Sequence, residues 1–144
     1  MKTSRLSVLI GTLIAILIPV VLFLWSNYHR ASVEERAYEL MINASQAVLG
    51  TGDWSLVFEN MDPETPSQIP DMTTLRDFGS LVTLGEMVGI ADVPLPLSGQ
   101  PATAQLRIAG HFSTGICFTE AILVYRDGRW LFSHFAYIPG TLAQ

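Results

Sequence analysis

Cysteine is almost missing from this chain: Cys117 is the only one in 144 residues. No intrachain disulfide can form, and no cysteine-based metal site can be assembled. Acidic side chains are missing from the first 33 residues, and all thirteen lie beyond them. Basic ones are scarce in the remainder. Residues 31–144 hold Arg36, Arg76, Arg107, Arg126 and Arg129 against those thirteen acids, a balance of −8. A nucleic-acid binder displaces counterions from phosphates with clustered Lys and Arg, so this charge sign sets nucleic acid aside as a partner. There is no Ser/His/Asp order, phosphate loop or dinucleotide fingerprint, and no internal repeat or low-complexity tract. No cofactor is expected. The length leaves room for one domain plus an appendage. With 15% charged residues and a mean hydropathy of +0.37, the chain is too apolar for an ordinary soluble protein of its size.

The apolar excess sits at the N-terminus. Leu6 to Trp25 is twenty residues without a charge, flanked by Lys2 and Arg5 before and by His29-Arg30 after. A helix of that length spans roughly 30 Å, the thickness of a bilayer's hydrocarbon core. Leu6, Leu13, Ile16, Pro19, Phe23 and Trp25 are the expected lipid-embedded positions. Pro19 and Gly11 are tolerated in a membrane helix, and Trp25 and Tyr28 stand where an interfacial aromatic belt would lie. A cleaved signal peptide is the competing reading. It calls for a shorter apolar core and small residues ahead of the cut, and Trp25-Ser26-Asn27-Tyr28-His29-Arg30 supplies no such pair. Residues 1–30 are therefore read as a retained signal-anchor with its juxtamembrane segment, and 31–144 as the folded domain. Lys2, Arg5 and the amino terminus favour the inside, while Arg30 and Arg36 weaken the asymmetry. The expectation is a single-pass protein of the cell membrane with an extracytoplasmic, periplasmic-type domain.

Beyond the anchor, Ser32-Val33-Glu34-Glu35 fits a capping box. Val33, Ala37, Leu40, Met41, Ala44 and Val48 recur at helical spacing before Gly50. Tyr38, Ile42 and Leu49 widen this apolar side, so the helix is expected to touch more than one surface. It can also run straight on from the membrane span, since only Ser26-Asn27 hints at a break. Asp53 is a plausible N-cap for a short helix to about Asn60. Pro63, Pro66 and Pro70 make 62–70 a loop. Asp71 can cap a further short helix carrying Met72, Leu75 and Phe78. Val82, Leu84, Glu86, Val88 and Ile90 alternate as a strand in which Gly85 and Gly89 mark weak points or bulges. Three more strand runs follow, Ala102–Phe112, Ile116–Tyr125 and Trp130–Ile138. Ser113-Thr114-Gly115 joins the first two, and Asp127-Gly128 joins the last two as a hairpin whose residues tolerate positive φ. The fold class expected is α+β: an N-terminal transmembrane helix, then helices packed on a curved antiparallel sheet of about four strands.

Three local features carry a family resemblance. Gly52-Asp53-Trp54 follows the first helix of the domain, Leu84-Gly85-Glu86 opens the first strand, and Asp127-Gly128-Arg129-Trp130 forms the last hairpin. In this layout residues 31–140 resemble the nuclear transport factor 2-like, or cystatin-like, α+β superfamily, in which a curved sheet wraps around an N-terminal helix. The resemblance implies a concave pocket, which in isomerase- and dehydratase-like members holds acids together with a tyrosine or histidine. Tethered bacterial members include assembly proteins of type IV secretion systems, although this domain is shorter than those.

Glu120 is the candidate acid. It shares a strand face with Ile116, Phe118, Ile122 and Val124, a setting that suits general acid or base work. Tyr38, His134 and His111 are its possible partners, and an ordinary pairing with Arg107 is the plainer account. No spacing specifies a catalytic pair, so no catalytic residue is assigned. Two separated histidines do not specify a metal site. Cys117 reads as packing, and Asp53-Trp54 as a cap followed by a core aromatic. More informative is an excess of apolar surface. If the last hairpin closes on a two-residue turn, one face carries Val124, Ile122, Leu131, Phe135 and Tyr137. The other then carries Tyr125, Leu123, Trp130, Phe132, Ala136 and Ile138. A half-solvated antiparallel sheet should alternate apolar with polar. Phe132, Phe135, Tyr137, Tyr125 and Trp130 are accordingly the expected interface, toward another membrane protein or a second copy, with the bilayer as partner through residues 6–25. The function expected is a membrane-anchored interaction module, an accessory subunit of a membrane complex. The alternative is a pocket protein or lyase/isomerase using Glu120.

Overall fold

The computed structural model describes residues 5–65, 78–96 and 98–142, with side chains from residue 8 to residue 140. Its first element is one uninterrupted helix, α1, Arg5–Thr51. At 1.5 Å per residue its 47 residues extend about 70 Å. Every side chain from 8 to 25 is exposed, whereas Val33, Ala37, Met41, Ala44, Ser45, Val48 and Leu49 are buried. The spacing of that second set is one helical stripe. Its small members, Ala37, Ala44 and Ser45, let the helix axis lie close to the sheet.

The capping box does not operate. The chain is already helical at Ser32, so the amides it would have capped are bonded within α1. Glu34 instead accepts the Tyr38 hydroxyl at 2.5 Å. Position 30, where the anchor was divided from the domain, is crossed without a break. Gly52 (φ 71°) ends the helix, and Ser55–Glu59 forms the short α2. Asp53 lies one residue ahead of the true cap position, Trp54, and its carboxylate accepts the Ser55 N–H at 2.9 Å. That bond holds the Asp53 carboxyl below the ordinary aspartate range. The short helix expected from Asp71 and the prolines Pro66 and Pro70 lie outside the described residues, apart from Phe78 at the helix's end.

Four strands follow: β1 Leu81–Asp92, β2 Thr103–Phe112, β3 Gly115–Arg126 and β4 Arg129–Leu142. They pair antiparallel as a meander in the order β1-β2-β3-β4. The domain is therefore α+β, with helices on one face of an antiparallel sheet. Asp127 (φ 52°) and Gly128 (φ 81°) close the β3–β4 hairpin with both central residues left-handed, as a type I′ turn requires. Gly85 lies within a bulge between Leu84 and Met87. At Gly89 (φ 154°) a Cβ would collide with the Gln105 carbonyl, so the β1–β2 pairing demands glycine there.

The core lies between α1 and the sheet. Leu106, Ile108, Ala121, Leu123, Trp130, Phe132 and Phe135 meet Val33, Ala37, Met41, Ala44 and Val48. Each large apolar side chain so buried contributes about 1.5–3 kcal/mol. Polar bonds set the register. The Trp130 indole N–H donates to the Val33 carbonyl at 2.7 Å, and the Ser45 and Thr119 hydroxyls bond each other at 2.7 Å, both wholly buried. Arg30 Nε donates to the Val93 carbonyl at 2.7 Å. These contacts run α1 along the sheet, with residues 30–36 over the Val93, Tyr125 and Trp130 end and residues 49–50 over the Leu81 and Gly110 end.

Candidate functional site

The two faces of β4 differ from the simple alternation expected of it. Leu123 stands opposite Phe132 and Ile122 opposite His134, which leaves Ser133 without a partner in the ladder. One extra residue resets the side-chain period. Trp130, Phe132, Phe135 and Tyr137 therefore all fall on the helix side. The bulge is supported from outside. Phe132 donates its N–H to the Asn60 carbonyl at 2.7 Å, and its own carbonyl accepts the Asp62 N–H at 2.9 Å. Arg126 pairs with Glu64 at 2.6 Å and with Asp62 at 3.7 Å, clamping the 62–65 turn beside the hairpin.

The residues expected to form an interface are thus placed as follows. Phe132 is 0% exposed, and Trp130 and Phe135 are buried with it, Phe132 and Phe135 meeting edge-to-face at 5.2 Å. Tyr137 is half-buried against the Leu49, Phe78, Phe112 and Cys117 cluster. Tyr125 is half-buried, edge-on to Trp130 at 5.2 Å, and its hydroxyl accepts from Arg36 at 3.2 Å. Within this chain Trp130, Phe132 and Phe135 fill the core, and Tyr125 and Tyr137 border it half-buried. Trp54 joins them, T-shaped on Phe135 at 5.5 Å.

What faces outward is largely aliphatic, with the half-buried Phe118 beneath Arg107. The side of the sheet away from α1 carries Val88 and Ile90 of β1, Ile116 and Ile122 of β3, and Ile138 of β4, with Ile90 at 77% and Val88 at 67% exposure. Among them stand Gln105, Arg107, Glu120 and His134. The period-2 reading of β1 contained the signal for Val88 and Ile90. No local signal says which side the helix will cover.

Glu120 lies on this open face, directly across from Arg107 in the β2–β3 ladder. The Arg107 guanidinium does not engage it as an ion pair. It stacks over the Phe118 ring at 4.3 Å, a cation–π contact. Val88, Gly89, Ile90, Gln105, Leu106, Arg107 and Glu120 line an open recess of about 250 Å³. Tyr38 belongs to α1 on the other side of the sheet, so Tyr38 and Glu120 are not brought together. His134 is exposed and paired opposite Ile122, one ladder position from Glu120's partner Ala136 in face order. His111 is half-buried on β2 beside Gly85. Among the described residues no group of three or more His, Cys, Asp or Glu side chains gathers as a metal site. Cys117 is wholly buried, donates to the Ile138 carbonyl at 3.4 Å, and burial pushes its thiol up to about 11.

At the other end of the molecule, α1 contains a stretch long and apolar enough to cross a membrane, none of it buried against the rest of the chain. Leu13, Ile16, Phe23 and Trp25 project freely, Pro19 sits within the continuous helix, and Leu6 precedes the described side chains. Trp25 stacks on His29 at 5.7 Å. Compared with known proteins, the chain matches no family model, no curated sequence and no solved structure.

Proposed function

We propose that this chain is a single-pass, membrane-anchored interaction module, an accessory or assembly subunit of a membrane protein complex, with its folded part on the extracytoplasmic side. The observation that carries the reading is a filled core beside an uncovered sheet face bearing Val88, Ile90, Ile116, Ile122 and Ile138. A face that mixes exposed aliphatic side chains with Gln105, Arg107, Glu120 and His134 has the composition of a non-obligate protein contact. A few well-packed anchors supply most of the energy of such a contact. The unbroken passage of α1 from the uncharged run into the core supports a retained anchor. Lys2 and Arg5 ahead of that run support an N-terminus inside. A helix laid across a meander that ends in the Asp127-Gly128 hairpin is also the layout behind the proposed nuclear transport factor 2-like kinship.

The rival reading, a small-molecule site using Glu120, has the recess beside Arg107 in its favour. Against it, the recess is open and neither Tyr38 nor a second acid lines it. The test is capture of a partner from detergent-solubilised membranes by the full-length chain. Ile90→Asp and Ile122→Asp are expected to abolish capture and leave the circular dichroism spectrum unchanged, because both side chains are already exposed. Glu120→Gln is expected to leave capture and biological function intact. Undiminished capture by the two aspartate variants counts against the docking face. A folded Glu120→Gln protein that keeps its partner but loses the phenotype transfers the role to the recess. The mass of the complex by light scattering distinguishes a second copy from a different protein.

A further inference from the structure

Because α1 is one rigid element, position along it reads as height above the bilayer. The uncharged run ends at Trp25. His29 and Arg30 follow four and five residues later, about 6–8 Å further along the axis. The headgroup layer on each side of the hydrocarbon core is about 5–8 Å thick. Whatever the chain holds against His29 and Arg30 therefore lies in or at the edge of that layer.

What it holds there is the β1–β2 connection. Arg30 Nε donates to the Val93 carbonyl at 2.7 Å. His29 and Val33 share a recess with Pro94, Leu95 and Pro96. The Arg30 bond is the tie, and the recess places Pro94, Leu95 and Pro96 beside the same part of α1. From Val93 to Ala102 the sequence carries no charge, in a domain with thirteen acidic side chains. Leu95 is 59% exposed, and nothing among the described residues covers it. The prolines on either side have no backbone N–H to leave unsatisfied on leaving water. The neighbouring connection at this end is different in kind. The charged Asp127-Gly128 hairpin follows Tyr125, which bonds Arg36, eleven residues past Trp25 and about 16 Å along the helix.

We propose that Pro94-Leu95-Pro96 is a second membrane contact, with Leu95 inserted among the lipid headgroups and upper acyl chains. Two contacts, the α1 span and this loop, fix the tilt and rotation of the domain on the bilayer. The inference rests on the reading of α1 as a membrane anchor.

The experiment uses the full chain in phosphatidylcholine nanodiscs containing a lipid with a nitroxide high on its acyl chain. An environment-sensitive fluorophore is attached at Leu95→Cys, Phe23→Cys or Ser113→Cys, and the wild type with its buried Cys117 is the labelling blank. Ser113 is exposed at the opposite end of the sheet. The expected result is loss of half or more of the fluorescence at positions 23 and 95 and little change at 113. Quenching at 23 with none at 95 overturns the loop contact and leaves the anchor standing. No quenching at 23 overturns the anchor, and the loop contact with it. Equal quenching at 95 and 113 also overturns the proposal, since it would reflect non-specific lipid adsorption.

Discussion

Cys117 shows how burial sets chemistry at a single residue. An ordinary thiol titrates near 9, and this one is held up to about 11 by removal from water. Between those values the unfolded chain releases the proton and the folded chain keeps it, so the folded state binds more protons and stability falls as pH rises. The stabilisation is fully present below about pH 9 and is lost towards pH 11, on the order of 2–3 kcal/mol. Unfolding free energies of wild type and Cys117→Ala measured from pH 8.5 to 10.5 should converge across that window. A constant difference would show that the thiol does not titrate differently on folding. Native protein at pH 8 should also resist maleimide and react fully once denatured. That Cys117 packs was legible from its apolar strand. That Glu120 faces away from α1, with Arg107 stacked on Phe118 instead of paired with it, was not legible, because a strand's alternation defines two faces without saying which one a helix will cover.

Among the elements, β4 depends most on one residue's placement. With Ser133 unpaired, Trp130, Phe132, Phe135 and Tyr137 share the helix side. Deleting Ser133 restores strict alternation and turns one aromatic pair outward. At about 1.5–3 kcal/mol for a large side chain fully buried and about half that for the half-buried Tyr137, turning Phe135 and Tyr137 outward takes roughly 2–5 kcal/mol from a fold whose total is about 5–15 kcal/mol. The deletion is expected to abolish the cooperative thermal transition followed by circular dichroism, while Ser133→Ala changes the midpoint by only a few degrees. A deletion protein that melts like wild type would mean that β4 can re-register without loss. Apart from Ser133 itself, the bulge had no turn residue, glycine or proline to announce it. It is decided by segment 60–62, which takes the backbone groups of Phe132, a contact between positions some seventy residues apart.

For the whole molecule the consequence of an unbroken α1 is mechanical. The buried stripe from Val33 to Leu49 clamps the helix to the sheet, and the same helix continues to the uncharged run, so the domain cannot turn independently of that run. A flexible Gly-Ser-Gly-Gly insert between Ser26 and Asn27 should leave the folded core intact. In nanodiscs it should add a fast rotational component to the anisotropy decay of a fluorophore on the domain, one the wild type lacks. Identical decays would show that the juxtamembrane helix is not the rigid coupling. With its balance of −8, the domain gains nothing from a basic surface when approaching a bilayer. That places the weight of any second membrane contact on the uncharged β1–β2 loop.

The features that the sequence by itself determined are those set by local chemistry. Twenty uncharged residues make a helix long and apolar enough to cross a membrane. Asp127-Gly128 can adopt the two positive φ angles of a hairpin, and Gly85 coincides with a bulge in β1. Four strand runs with turns between them make a meander. Each of these needs only a composition, a length or a permitted backbone angle. The tertiary structure alone decided the rest. It carried the helix through Ser26-Asn27 and past Ser32, because an amide already bonded within a helix has no need of a cap. It also brought the aromatics of β4 inward, because one unpaired residue reverses the sense of the strand beyond it and what holds that residue is distant in the chain, and it left Val88, Ile90 and Ile122 outward, because α1 covers the opposite side of the sheet.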